Sequence, residues 1–174
     1  MLAEEFFDRP TLEVTRGLLG KCLCRRIDGE TRRLRIAEVE AYDGPEDKAC
    51  HAHRGKTARN EVMFGPPGRW YVYLCYGMHW MLNAVTGPVG FPAAVLVRGC
   101  LEVAGPGRLT KALEIDRSQD RELIALSSGL WIEDDGVEAP DREVERTPRI
   151  GIGYAGHEWI EKPYRFLWQR KEAP

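Results

Sequence analysis

"KCLCRRIDGETRRLRIAEVEAY" (Lys21–Tyr42) is the stretch from which the fold is read. Two runs of alternating apolar and polar residues flank Asp28-Gly29, a pair that suits a tight two-residue turn, so the segment predicts a β-hairpin. Side chains along a strand point alternately to opposite faces. In the second run this puts Ala37, Val39 and Ala41 on one face and Glu38, Glu40 and Tyr42 on the other. The first set marks the core side. Two carboxylates and a tyrosine in a row on the other side are either a wet outer face or a reactive one.

Upstream, "DRPTLEVTRGLLG" (8–20) predicts a short helix with Asp8 as N-cap, Pro10 in the first turn and Gly20 as the stop. Downstream, "DGPEDKACHAHRGKTARNE" (43–61) is polar and holds two glycines and a proline, which predicts a long functional loop. "RWYVYLCY" and "HWMLNAV", joined through Gly77-Met78, predict a second strand pair with an aromatic tip. "AAVLVRG" reads as a buried strand ending on Arg98. Gly-Pro-Gly before "RLTKALEI" opens a helix with Leu109, Ala112 and Leu113 on one side, and the remaining segments "GLWIEDDG", "RTPRIGIGYAG" and "YRFLWQR" read mostly as strand and loop. The fold class expected is α+β, with a curved antiparallel β-sheet and a few surrounding helices.

A chain of 174 residues, 43% hydrophobic and 30% charged, fits one domain spanning residues 1–174. No apolar run approaches membrane-spanning length, and "MLAEEFFDRP" is acidic where a secretory signal carries positive charge, so a cytoplasmic protein without a membrane partner is expected. The five cysteines are odd in number, and four of them lie in apolar segments; neither a disulfide framework nor CxxC zinc spacing is present. With a net charge of -2, any contact with nucleic acid rests on a local basic patch.

Unusual residues concentrate in "EVEAYDGPEDKACHAH", "MFGPPGRWYVYLCYGMHWMLN" and "AVLVRG", followed by "GPGRLTKAL" and by "GIGYAG" running on to "KPYRF". These motifs, in this order from about residue 6 to 167, resemble the alkyladenine (3-methyladenine) DNA glycosylase family in its mammalian-type fold, as a short, bacterial-like member. The resemblance implies a projecting, DNA-inserting hairpin and a monofunctional hydrolase. Such an enzyme removes alkylated or deaminated purines from duplex DNA without a cofactor or metal and leaves an abasic site for base excision repair. A monomer suits an enzyme that scans DNA, and association with the nucleoid when bound to DNA is expected.

Hydrolysing an N-glycosidic bond inside a duplex requires extruding the nucleotide into a pocket. The resemblance assigns the parts. Tyr76 is the wedge that fills the gap in the stack, and Tyr42, His51 and Tyr73 hold the extruded base, where aromatic faces attract a cationic alkylated purine. Asn83 excludes bases with a guanine-type amino group. Glu40 activates the water, with Arg98 and the backbone carbonyl of Ile152 as further holders of that water. Glu38 has no role in the family and reads as support. No lysine maps into this set, which argues against a Schiff-base mechanism. Arg54, Lys56, Arg59 and Arg69, flanking the hairpin, and Arg108 and Lys111, at a helix start, are the expected phosphate contacts.

Residue type alone leaves alternatives open. A tyrosine beside a turn can be core or surface, Tyr73 in "YVY" can be strand core, and Glu40 with Arg98 can be a structural ion pair. His51, His53, Glu38 and Glu40 are metal-capable, although no third ligand follows at a recognisable spacing. The aromatic row Tyr71, Tyr73, Tyr76 and Trp80 would also serve a binding module without chemistry. His53, His79 and Trp80 depart from the animal members' pattern.

Overall fold

Asp28 and Gly29 both adopt left-handed backbone (φ 50° and 82°), closing the predicted hairpin between β1 (Cys22–Ile27) and β2 (Glu30–Asp43). A computed structural model describes residues 1–170. In chain order the other elements are α1 (Glu4–Phe7) and α2 (Thr11–Leu18) ahead of the hairpin, then β3 (Trp70–Cys75), β4 (His79–Val85), β5 (Ala93–Cys100), α3 (Pro106–Ala112), β6 (Leu130–Glu133), β7 (Val144–Thr147), α4 (His157–Glu161) and β8 (Arg165–Trp168). All pairings are antiparallel and run β3-β4-β5-β2-β1-β6, with β8 joining β2 to β7. The expected α+β class with a curled antiparallel sheet in a single compact domain is what forms.

Strand β2 is long enough to serve two partners. Its first half pairs with β1, and its second half lies between β5 and β8. At the changeover the register with β5 slips twice: Ile36 pairs Cys100, Glu38 pairs Gly99 and Val39 pairs Val97, so Ala37 on one strand and Arg98 on the other are unpaired bulge residues. A bulge re-aims side chains and increases twist. It explains why Ile36, which has the parity of Glu38 and Glu40, is fully buried in the main core while those carboxylates face the other way.

The two sheet faces have different covers. Phe7, Val14, Leu18, Leu109 and Leu113 from the helices pack on Leu23, Val39, Trp70, Val72 and Val97 to form the main core. The opposite face, which presents Tyr42, Tyr71 and Tyr73, is covered by irregular chain. Cys50, Ala52, Val62 and Met63 pack on it from the loop after β2, and Ile152, Ala155 and Trp159 pack from the segment after β7. Period-2 alternation therefore separates a dry helical side from a side roofed by loops, where binding residues gather.

Three expectations need correction. Asp8 does not cap α2: Pro10 is itself extended (ψ 130°) and occupies the N-cap, so the helix begins at Thr11 and Asp8 ends α1 instead. "RTPRIGIGYAG" is strand only to Thr147. A short helix, α4, follows Gly156 where strand and loop were expected. Among the described residues no helix is long and apolar enough to cross a membrane. All five cysteines are free thiols, four of them buried.

Candidate active site

Glu40 is fully buried, although it lies on the face of β2 away from the main core. Its Oε1 accepts the backbone N–H of Ile150 at 2.8 Å, and its Oε2 accepts the Tyr42 hydroxyl at 2.9 Å. The Arg98 guanidinium stands 3.4 Å from Oε1 and 3.5 Å from Oε2. Burial pushes the Glu40 carboxyl above the usual carboxylate range, opposed by the Arg98 charge and by the hydrogen bonds from Ile150 and Tyr42, and reinforced by the Glu38 charge. Burial, and next to it the charge of Glu40, holds the Tyr42 phenol protonated, so it remains the donor in their hydrogen bond.

Arg98 is held mainly by Glu38. Its Nε donates to Glu38 Oε1 at 2.9 Å, and Arg165 Nε donates to the same oxygen at 2.7 Å. The expected Glu40–Arg98 pairing is thus the longer arm of a four-residue cluster of two acids and two arginines. As the unpaired residue of a bulge, Arg98 is turned onto the face of the acids.

A second ion pair fixes the roof. Asp47 and Arg149 have fully buried side chains, with Arg149 Nη2 donating to Asp47 Oδ1 at 2.8 Å. Asp47 also accepts the N–H groups of Asp43 and Ala49, and Arg149 donates to the Ala41 carbonyl. The Arg149 guanidinium lies over Tyr42 at 4.8 Å and Tyr164 at 5.2 Å from their ring centroids. Loop, strand and distal segment are tied together one residue before Ile150.

Beside Glu40 the aromatic residues gather. His51 meets Tyr73 edge-on with ring centroids 4.6 Å apart, and its Nδ1 is 2.9 Å from the Tyr71 hydroxyl. Burial of the ring, and then the nearby Arg59 charge, lower the His51 pKa to about 4, so this histidine is neutral at physiological pH. Asn83 is buried and donates to the Tyr71 carbonyl at 3.0 Å. Tyr42, His51, Tyr73, Asn83, Met63 and Tyr154 line a cavity of about 30 Å³, the space of roughly one water molecule. It adjoins a wide cleft of about 940 Å³ lined by Tyr42, Tyr73, Arg98, Ile152 and Tyr154, with Tyr76 on its wall.

Tyr76 forms the hairpin tip between β3 and β4 and is 88% exposed. It and Gly77 adopt left-handed backbone (φ 50° and 69°), and Met78 N–H closes the turn on the Cys75 carbonyl at 3.0 Å. A bulky residue in that conformation costs about 1–3 kcal/mol, a strain found mostly at functional positions. Behind the tip, α3 packs closely against the start of β4: a Cβ on Gly107 would lie 2.8 Å from His79 Nδ1, and the Thr110 hydroxyl donates to the Trp80 carbonyl.

The remaining expected site residues divide. Arg54 lines the cleft, and the exposed Arg108 and Lys111 lie on α3 beside the hairpin. Lys56 is paired with Glu61 at 3.1 Å. Arg69 is not beside the tip: it precedes β3 at the end opposite Tyr76, about 20 Å away at the strand rise of ~3.3 Å per residue, and donates to the Arg121 carbonyl. Arg59 lies over the Tyr73 ring at 4.8 Å. The Ile152 carbonyl accepts Ala155 N–H at 2.9 Å, and the peptide that touches Glu40 is that of Ile150. His51 and His53 use their Nδ1 atoms on Tyr71 and on the Pro45 carbonyl, and among the described residues no group of three or more metal-capable side chains gathers. The sequence reading missed Lys48, which lines the wide cleft, Tyr154 and the Asp47–Arg149 pair; an acid in the loop after β2 and an arginine far along the chain carry no spacing signal, because their meeting is tertiary.

Comparison with known proteins points to one family. The family model described as methylpurine-DNA glycosylase matches residues 5–104 and 101–172. A protein of Anaeromyxobacter dehalogenans strain 2CP-C, named "Putative 3-methyladenine DNA glycosylase", is 46% identical over 99% of this chain and 88% of its own length. Proteins of the same name from Myxococcus xanthus and Methanocella arvoryzae are 47% and 43% identical, over 97% and 95% of this chain and 90% and 91% of theirs. With the match running nearly end to end across sheet, hairpin and roof, the chain belongs to the methylpurine-DNA glycosylase family and is a DNA glycosylase.

Proposed function

We propose that the chain acts over its whole length as one monofunctional glycosylase domain. It extrudes alkylated or deaminated purines from duplex DNA and hydrolyses the N-glycosidic bond with a water activated by Glu40. The observation that carries this reading is the Glu40 carboxylate: completely buried and held by Ile150 N–H, the Tyr42 hydroxyl and Arg98, three residues that line a cleft with an exposed tyrosine on its wall. A carboxylate kept in place while its neighbouring cation is committed mainly to another acid, as Arg98 is to Glu38, can both accept a proton from water and stabilise the positive charge that develops on the sugar as the bond breaks.

Tyr76 fills the gap in the stack, its exposure and strained turn suiting a ring that contacts DNA rather than core. Tyr42, Tyr73 and His51 hold the base. The His51 backbone N–H, which has no acceptor among the described residues, and neutral His51 itself supply polar contact to it. Asn83, fixed to the Tyr71 carbonyl, screens for the guanine-type amino group. A purine needs more room than about 30 Å³, and the wide cleft lined by the same Tyr42, His51, Tyr73 and Tyr154 supplies it where the two spaces meet. Arg98 and the Ile152 carbonyl, from two residues on the cleft wall, help Glu40 hold and polarise the water. Arg54, Arg108 and Lys111 contact phosphate, and the protein works as a monomer on nucleoid DNA in the cytoplasm.

The test is incubation with duplexes carrying one 3-methyladenine, 7-methylguanine, hypoxanthine or 1,N6-ethenoadenine, followed by alkali to break abasic sites. Strand breaks that require the alkali step are expected for at least one lesion. No break for any of them refutes the reading, and breaks without alkali refute the monofunctional part.

A further inference from the structure

We propose that Arg59 sets lesion preference: its guanidinium, standing over the Tyr73 ring beside His51 with its charge unpaired, opposes a cationic base in the pocket and favours a neutral one. The inference rests on the function proposed above.

The two base-holding tyrosines each carry an arginine, and the two arginines differ in kind. Over Tyr42 lies Arg149, whose charge is matched by Asp47 inside the same buried cluster. Over Tyr73, at 4.8 Å, lies Arg59, for which no carboxylate is within ion-pair distance among the described residues. Its neighbours do not share this state: Lys56 and Arg121 both pair with Glu61, at 3.1 and 3.4 Å. The Arg59 backbone is held where it is by Asn60. The Asn60 side-chain amide donates to the His51 and Gly55 carbonyls, both at 3.0 Å, and its oxygen accepts Thr57 N–H. The position of Arg59 is therefore coupled to that of His51, and its charge reaches the pocket, where it helps keep the imidazole neutral.

A guanidinium already seated on an aromatic ring uses the same electrostatic attraction that would draw a cationic purine to that ring. It also repels such a purine directly at short range, an effect that the solvent exposure of Arg59 screens in part. A neutral base meets neither opposition, and a guanidinium can donate to its carbonyl oxygen or ring nitrogen. A phosphate-binding role for Arg59 would behave differently, since neutralising the DNA backbone helps every lesion equally and weakens with salt.

The test compares single-turnover release of 3-methyladenine, a cationic lesion, and hypoxanthine, a neutral one, by the full chain and by Arg59→Gln and Arg59→Lys. Arg59→Gln should raise the ratio of 3-methyladenine to hypoxanthine release by about fivefold, on the scale of one cation–π contact, while Arg59→Lys keeps it within about twofold. The ratio is insensitive to partial loss of folded protein, because both substrates report on the same folded molecules. Should Arg59→Gln not fold, Arg59→Met keeps the apolar stem along the ring and carries the same expectation. An equal fall in both rates with a shallower salt dependence, or an unmoved ratio, overturns the role of Arg59. Release of neither base by the unaltered chain overturns the proposed function instead.

Discussion

Ile150 donates its backbone N–H to Glu40 Oε1 at 2.8 Å across 110 positions of sequence. The carboxylate comes from β2 and its donor from the segment after β7, and the buried Asp47–Arg149 pair next to Ile150 locks the two together. A carboxylate held this way keeps its position and has a shifted acidity.

That acidity should appear in the pH profile. As the proposed general base, Glu40 acts only when ionised, and burial raises its pKa in the folded state, so release of a neutral lesion should rise with pH through a value above the ordinary carboxylate range. The same shift has an opposite sign for stability. A carboxyl that binds its proton more tightly when folded contributes stability at low pH and loses it as pH rises through the folded pKa. A rate profile with its acid limb in the ordinary carboxylate range, or with none attributable to Glu40, speaks against this environment.

Glu38→Gln should slow base release about tenfold without changing affinity for undamaged DNA. The substitution removes the charged acceptor shared by Arg98 and Arg165, and losing a hydrogen bond to a charged group costs about 1.5–3 kcal/mol. Because the Glu38 charge also raises the Glu40 pKa, the acid limb of the rate profile should move to lower pH. A slower rate with an unmoved limb would mean that Glu38 supports Arg98 alone.

Tyr76→Ala should weaken binding to a lesion-containing duplex by about 1–3 kcal/mol, the scale of one aromatic stacking contact. Its Tm should stay close to that of the unaltered chain, because a side chain that is 88% exposed has little packing to lose. Thermal denaturation beside a binding titration separates the two, and a matching loss in both would return Tyr76 to a packing role.

Asp47→Ala should be the most destabilising of these changes. It leaves the fully buried Arg149 charge without its partner, which costs about 3–5 kcal/mol, or on the order of 10 °C in Tm for a chain of this size. Activity should fall with it, since Arg149 precedes the residue that holds Glu40. A Tm within about 2 °C of the original would show that the roof does not depend on this pair.

The alternation in β2 made the sheet and the row of site residues Glu38, Glu40 and Tyr42 readable from sequence, because a strand with one dry face must follow a period of two. Asp28-Gly29 made the hairpin readable for an equally local reason. What could not be read is what bulges and tertiary contacts decide: that Ile36 changes face, that Glu38 rather than Glu40 is the nearer partner of Arg98, and that Arg59 lies on a ring while Arg69 lies at the wrong end of its strand. The roles of single residues came from resemblance to a family, since an acid beside a buried arginine has the same composition whether it catalyses or only folds.

The most direct test of the account is Glu40→Gln assayed beside the unaltered chain on a duplex with one hypoxanthine, following abasic-site formation by alkali cleavage and binding by titration. The account predicts base release reduced by 10²-fold or more, on the order expected for removal of a general base, with affinity for the lesion duplex retained. Release at an undiminished rate by the folded variant would contradict it.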